Sequence, residues 1–268
     1  MYLEGVENMG KRPLITAEDK RKSFSKYYYL EMTKPDQVLL DKVLQGPINP
    51  AVALEFKDRN DLLKPGYLAS EAGYCKMPDG SGYVSNLTKM LGVTPEMFDW
   101  WFAWHPVDGF RYQIWDPEDH FGVEVSREHK ERLLNPNIPV RERNWGVTHY
   151  VKEDIGLPWY AKVIGKLMGK DPTSIVIPFV SPAEFGFDME RFAPPNVETA
   201  ICAALGPNSG MCHFIRKIEV GVELRTRFWF GPQMKTPLFF LKALNLHAVK
   251  EFTHLAKILP SLYAEEGK

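Results

Sequence analysis

The chain reads as an α+β protein in which antiparallel strands precede one long C-terminal helix. Two observations predict this. Short runs rich in β-branched and aromatic residues recur at 121–126, 146–152, 174–180, 199–204, 211–222 and 224–230, with turn signals between them. Pro237 then opens a helix whose Leu238, Leu241, Leu244, Leu246, Val249, Phe252, Leu255 and Ile258 form one apolar side, and Pro260 is expected to end it. A curved sheet wrapped on that helix would leave a cavity between the two layers.

The remaining elements follow in order. Residues 1–85 mix charged stretches such as Glu18-Asp19-Lys20-Arg21-Lys22 with short helical pieces. They are expected to form an irregular, partly helical N-terminal region that wraps the main domain or a partner subunit, with 86–268 as the main domain. Within the N-terminal region, Pro35-Asp36-Gln37 begins a helix closed by Gly46-Pro47, and residues 50–63 suggest another. Pro65-Gly66 and Pro78-Asp79-Gly80 mark turns. Thr94 is placed to cap a helix with Pro95 at its first position, running to about Trp104 and stopping at His105-Pro106. Residues 111–115 alternate like a strand, and 127–134 read as a short helix.

Composition bounds the function. Of 268 residues, 44% are apolar and 25% charged, which is ordinary for a globular protein large enough to bury a sizeable core. The 33 basic and 34 acidic residues nearly cancel and no basic run stands out, so the electrostatic footprint of a nucleic-acid binder is missing. No long uncharged apolar stretch suggests a membrane span, and residues 1–20 have no apolar core of a secretory signal. Cys75, Cys202 and Cys212 are an odd set without C-x-x-C spacing, which argues against a disulfide framework and fits a reducing cytoplasm. Aromatic residues make up 13% and crowd between Phe98 and Trp115, as a bulky core or as the wall of a pocket for a flat ligand.

The last helix carries the most informative pair. His247 and Glu251, four residues apart, project from one helical face, and an imidazole and a carboxylate so spaced can hold one metal ion. The same spacing is common on solvated helix faces, so it needs partners. His254 lies near that face. His120, where a turn meets a strand, and Glu153 are candidates for further ligands, in competition with His105, His129, His149, Glu124 and Asp154. His213, between Cys212 and Phe214 in an apparent strand, is either a buried structural histidine or a general acid or base. No nucleophile elbow, phosphate-binding loop, dinucleotide fingerprint or H-E-x-x-H occurs.

The run Trp100-Trp101-Phe102-Ala103-Trp104-His105-Pro106, then Arg111-Tyr112-x-x-Trp115-x-Pro117-x-x-His120, resembles the signature of the 2,4-diacetylphloroglucinol hydrolase and phloretin hydrolase family. Residues 151–156 and His247-x-x-x-Glu251 follow in the family's order, so the resemblance covers roughly residues 80–260. It implies a helix-grip fold of the birch-pollen-allergen type with an added N-terminal region. It also implies a Zn²⁺ site made by His120, Glu153, His247 and Glu251. Tyr112 falls where the family contacts substrate, His213 matches an active-site histidine, and Glu251 takes the place of a ligand or a general base. The implied activity is hydrolysis of the C–C bond between an acyl group and a phloroglucinol ring, with a small acylated polyphenol as substrate, in a cytoplasmic homodimer. One departure is visible: the strand after His213 carries Phe228-Trp229-Phe230, where the family places a second substrate tyrosine. The alternatives on the same scaffold are a non-enzymatic carrier of flat hydrophobic ligands with a structural metal site, and a metal-free cyclase or lyase.

Overall fold

The computed structural model describes residues 12–267. Residues 1–11 of the stretch read above as lacking a signal lie outside the described residues, as does Lys268.

Among the described residues, eight strands form one antiparallel sheet: β1 (Gly73–Lys76), β2 (Gly82–Leu91), β3 (His120–Glu124), β4 (Thr148–Glu153), β5 (Ser174–Val180), β6 (Glu198–Gly206), β7 (Ser209–Ile218) and β8 (Gly221–Phe230). Their order is β1-β2-β8-β7-β6-β5-β4-β3. Among the described residues, seven α-helices accompany them: α1 (Gln37–Leu44), α2 (Pro95–Trp104), α3 (Gly109–Gln113), α4 (Arg127–Leu134), α5 (Trp159–Leu167), α6 (Pro182–Phe185) and α7 (Leu238–Glu266). The α+β class expected from the sequence holds.

Period-two alternation along the central strands sorts side chains into two cores. On β7 and β8, Met211, Ile215, Leu224, Phe228 and Phe230 join Leu241, Val249, Phe252, Leu255 and Leu259 of α7 in the main core. Their neighbours Cys212, Phe214 and Trp229 face the other way and meet Leu54, Leu62, Leu63 and Phe185 in a second core. The N-terminal region therefore covers the outer face of the sheet. An ion cluster fastens it: the buried Arg225 and Arg227 of β8 reach Glu71 at 2.7 and 2.5 Å. Burial alone would raise the Glu71 carboxyl, but its bond from Arg225 and the two guanidinium charges hold it below the usual range. The division expected after residue 85 falls inside β2, and β1 lies wholly before it, so the sheet draws on both sides of that point.

Capping explains several boundaries. Asp36 accepts from Val38 and Leu39 N–H to start α1, where a helix is expected, and Thr94 caps α2 as expected, accepting from Met97 N–H ahead of Pro95. Residues 111–115 are not a strand. The Asp108 side chain caps Phe110 N–H and begins α3, and a five-residue helix imitates alternation over so short a span. Pro260 does not end α7, which runs on to Glu266. An interior proline costs roughly 3 kcal/mol. Here Leu259 and Leu262 are fully buried on either side of it, and burying each such side chain returns about 1.5–3 kcal/mol. The run 211–222 is two strands, since a turn at Glu219 and Val220 separates β7 from β8. Residues 50–63 form 3₁₀ turns rather than an α-helix. α5 and α6 are not among the elements expected from the sequence.

Gly82 fixes how closely α7 approaches. A Cβ there would lie 2.9 Å from a Leu241 methyl, so the helix can sit this near β2 only above a glycine. No described helix is long and apolar enough to cross a membrane. The three cysteines are free and buried.

Candidate active site and metal centre

Three parts of the fold converge at one end of the cavity between sheet and helix. A turn after α3 delivers His120 into β3. The end of β4 brings Glu153, which pairs with His120 across the two strands. One turn of α7 brings His247 and Glu251. All four side chains are buried. His120 Nε2 lies 3.4 Å from Glu251 Oε2 and 3.7 Å from Glu153 Oε2, and His247 Nε2 is 3.9 Å from Glu251 Oε2.

His120 is oriented by its surroundings. Its Nδ1–H donates to the Tyr112 carbonyl at 3.2 Å, and its ring stacks on the Tyr112 ring at 4.0 Å and 4°. This leaves Nε2 directed at the carboxylates with no hydrogen-bond partner, and both ring nitrogens of His247 are likewise buried without one. Orphaned buried polar atoms are costly, so their convergence points to a missing partner. One ligand atom each from His120, His247 and Glu251 falls within 4.8 Å of the others, a grouping that suits one metal ion.

The electrostatics agree. Burial pushes His120 down to about 3, so its imidazole is neutral and free to bind a cation. Burial, with Glu153 and the nearby aspartates, pushes Glu251 well above the ordinary carboxylate range, and burial also raises Glu153. Two carboxyls held so unfavourably as anions are what a dication would relieve.

A second group, Asp116, Asp119 and His247, also falls within 4.8 Å. It already holds a cation. Lys250 Nζ lies 3.2 Å from Asp116, 3.0 Å from Glu118 and 2.6 Å from Asp119. The Lys250 network was missed at the sequence level, where Asp116–Asp119 read only as a turn.

The cavity beside these residues has a volume of about 120 Å³. Its walls are Phe102, Phe179, Met211, Phe228, Phe230 and Leu244, with His105, Tyr112, His149 and His213 among its polar groups. Part of the Phe98–Trp115 cluster therefore lines the pocket and the rest fills the core. The Tyr112 hydroxyl donates to Glu153 Oε2. Burial, then the charges of Glu153 and Glu251, holds that phenol well above its usual value. His213 Nδ1 lies 3.1 Å from Thr226 Oγ1, its ring packs 4.7 Å from Phe252, and burial lowers it to about 3. Phe228 and Phe230 both face the cavity, so β8 presents two rings and no phenol there.

Most of the competing candidates have other partners. His105 Nδ1–H donates to the Trp101 carbonyl at 2.8 Å. His129 accepts from Thr148 N–H, and His254 accepts from Thr33 N–H, away from the cluster. Asp154 pairs with Lys162, and Glu124 is exposed. His149 lines the cavity and its Nε2 has no partner.

This constellation sits in a recognisable sequence context. The family described as the DAPG hydrolase PhiG domain matches residues 54–264. The chain belongs to that family. It is 34% identical to the phloretin hydrolase of Eubacterium ramulus over 94% of this chain and 93% of that protein. It is 29% identical to a 2,4-diacetylphloroglucinol hydrolase of a Pseudomonas species, over 92% and 90% of the two chains. The enzyme of that name from Pseudomonas protegens is also 29% identical, over 92% and 86%. Membership extends the likeness from residue 80 back to residue 54, into the segment that covers the outer sheet face. The protein is therefore an enzyme, a hydrolase, and the reading as a carrier is not favoured.

Proposed function

We propose that this hydrolase cleaves the C–C bond between an acyl group and a phloroglucinol ring, in a substrate of the phloretin or 2,4-diacetylphloroglucinol type, giving a carboxylic acid and the phenolic ring. The observation that carries the reading is the meeting of His120, His247 and Glu251 at the wall of an aromatic-lined cavity, in a chain whose relatives are named for those two substrates.

We assign Zn²⁺ as the metal, held by His120, Glu153, His247 and Glu251. The mixed nitrogen and oxygen donor set fits it. When bound, Zn²⁺ polarises a substrate oxygen or lowers the pKa of a water it holds.

The chemistry required of the chain follows from the leaving group. An aryl carbanion leaves poorly, so the ring carbon must gain a proton before the bond breaks. Ring hydroxyls permit this, because the ring can take a keto form and then depart as an enolate. Phe102, Phe179 and Phe228 would hold the flat ring and keep water from it. Tyr112 donates its hydroxyl to Glu153 without substrate and is assigned to turn that single proton to a ring or carbonyl oxygen when substrate is bound. His213, with its ring tied to Thr226, is assigned to hold or pass the ring-side proton. Glu251 is assigned as a ligand, and in an alternative role as the base that takes a proton from water.

The fold designation as helix-grip belongs to the same reading and is supported by the packing of α7 against the antiparallel sheet. So does a cytoplasmic homodimer. Three free cysteines fit a reducing compartment, and the exposed Trp159, Ile164 and Leu167 on α5 offer an apolar surface for association. The activity is tested by incubating purified enzyme with each acylphloroglucinol and separating products by chromatography. Equimolar phenolic ring and carboxylic acid are expected from at least one. Intact substrate in both reactions, with folded and metal-loaded protein, would refute the assignment.

A further inference from the structure

The carboxylates around Lys250 do more than neutralise a lysine. Asp116 organises a tight turn: its Oδ1 accepts from Glu118 N–H at 3.1 Å and Asp119 N–H at 3.2 Å, and its carbonyl accepts from His120 N–H at 2.8 Å. The Asp119 carbonyl accepts from Asp154 N–H at 2.8 Å, beside Glu153. Lys250 lies on α7 between His247 and Glu251 and grips all three acidic side chains of the turn. A second tie runs alongside, where Trp115 Nε1–H donates to the Glu251 carbonyl at 3.0 Å. One turn thus touches every segment that carries a proposed ligand.

The two nitrogens of His247 face different groups. Nε2 points toward Glu251, and Nδ1 lies 3.9 Å from Asp119 Oδ2. That same Asp119 oxygen is the one that Lys250 holds at 2.6 Å.

We propose that Lys250 and Asp119 are positioning residues for the metal centre: Lys250 pins the Asp116–Asp119 turn to α7 and holds the Asp119 carboxylate on the Nδ1 side of His247, where its charge favours the proton on Nδ1 and leaves Nε2 for the metal. The inference rests on the metal reading given above. It is independent of which substrate is cleaved. A carboxylate behind a metal-bound imidazole fixes its tautomer and raises its basicity, and loss of such a partner weakens metal binding by about 10–100-fold. Lys250 also explains why the acidic turn is not itself a metal site, since its ammonium already stands among those oxygens.

The test is zinc affinity, read by competition with a chromophoric chelator, for wild type, Asp119→Ala, Lys250→Met and Lys250→Arg. Thermal midpoints of the metal-free proteins are measured beside it. Asp119→Ala and Lys250→Met are expected to bind zinc about 10–100-fold more weakly. Lys250→Arg is expected to stay within about threefold, since it keeps the charge and the reach. Asp119 is 28% exposed, so its alanine variant should keep a metal-free midpoint near wild type. Lys250→Met strands the fully buried Asp116 and will also lower the midpoint, which makes Asp119→Ala the deciding variant. Imidazole nitrogen NMR of the zinc-loaded wild type should show His247 protonated at Nδ1. Unchanged zinc affinity in Asp119→Ala would overturn the proposal while leaving the metal reading intact. A folded wild type that binds no zinc would overturn both.

Discussion

Tyr112→Phe removes one oxygen and little else, which makes it a sharp probe of the site. The phenol ring would stay stacked on His120 at 4.0 Å, and the backbone carbonyl that orients His120 is untouched. Metal content should therefore remain near one per chain. What is lost is the hydroxyl that donates to Glu153. Leaving one buried acceptor without its donor costs roughly 1–3 kcal/mol. For a chain of this size that is a fall in melting temperature of about 2–4 °C per kcal/mol. The catalytic effect should be larger. If the hydroxyl supports an oxygen whose charge grows in the transition state, its removal lowers kcat by about 100-fold or more, equivalent to about 2.7 kcal/mol. KM should change less, because the aromatic walls that hold the ring are intact. Steady-state kinetics on either acylphloroglucinol, with zinc content measured on the same sample, reads this directly. A variant that keeps one zinc and loses less than threefold in kcat would remove Tyr112 from the mechanism.

Other expectations follow from the same geometry. His213→Gln should retain zinc and fold but lose about 100-fold in turnover if the imidazole handles the ring-side proton; near-normal turnover would show His213 to be part of the wall only. Glu71→Ala strands Arg225 and Arg227 beneath the N-terminal region, and breaking a buried pair of this kind costs about 3–5 kcal/mol. Urea unfolding would show it, and a loss below about 1 kcal/mol would contradict the cluster's role. Asp99 offers a pH test away from the metal centre. Burial raises its carboxyl to about 7 despite the bond from Thr199 Oγ1, against 3.8 unperturbed. A raised acid favours the folded state fully below its unfolded pKa and loses that contribution as pH climbs to the folded value. Wild type should therefore lose up to about 4 kcal/mol relative to Asp99→Asn between pH 4 and pH 7.5. Parallel stability profiles for the two proteins would refute the assignment.

Much of the fold was legible because its signals are periodic. The Leu-rich face of α7 and the Thr94-Pro95 start of α2 are local features, and the structure keeps them. What failed was decided by tertiary contacts. Pro260 stops a helix in isolation, but buried leucines on both sides carry α7 through it. Residues 111–114 alternate in burial although the chain is helical through Gln113, and the Asp108 cap is what begins that helix. The extent of the sheet was misjudged at its start because β1 is short, and β2 pairs with β8, which follows it by well over a hundred residues. At the site, spacing exposed His247 and Glu251, whereas the choice of His120 and Glu153 over other histidines and acids came from family likeness. The structure brings His120, His247 and Glu251 within 4.8 Å of one another, sets Glu153 3.7 Å from His120, and turns His129 and His254 to other partners. The role of Lys250 was not legible, because a lysine between two ligands on a helix looks like any solvated charge until the acidic turn is seen against it.

Metal held by His120, Glu153, His247 and Glu251 is proposed to be required for cleavage of an acylphloroglucinol. The most direct measurement is product release by enzyme stripped with a chelator and then titrated with zinc. Negligible turnover is expected without metal and full recovery at about one zinc per chain, with His247→Ala unable to recover. Full turnover by the metal-free enzyme would contradict it.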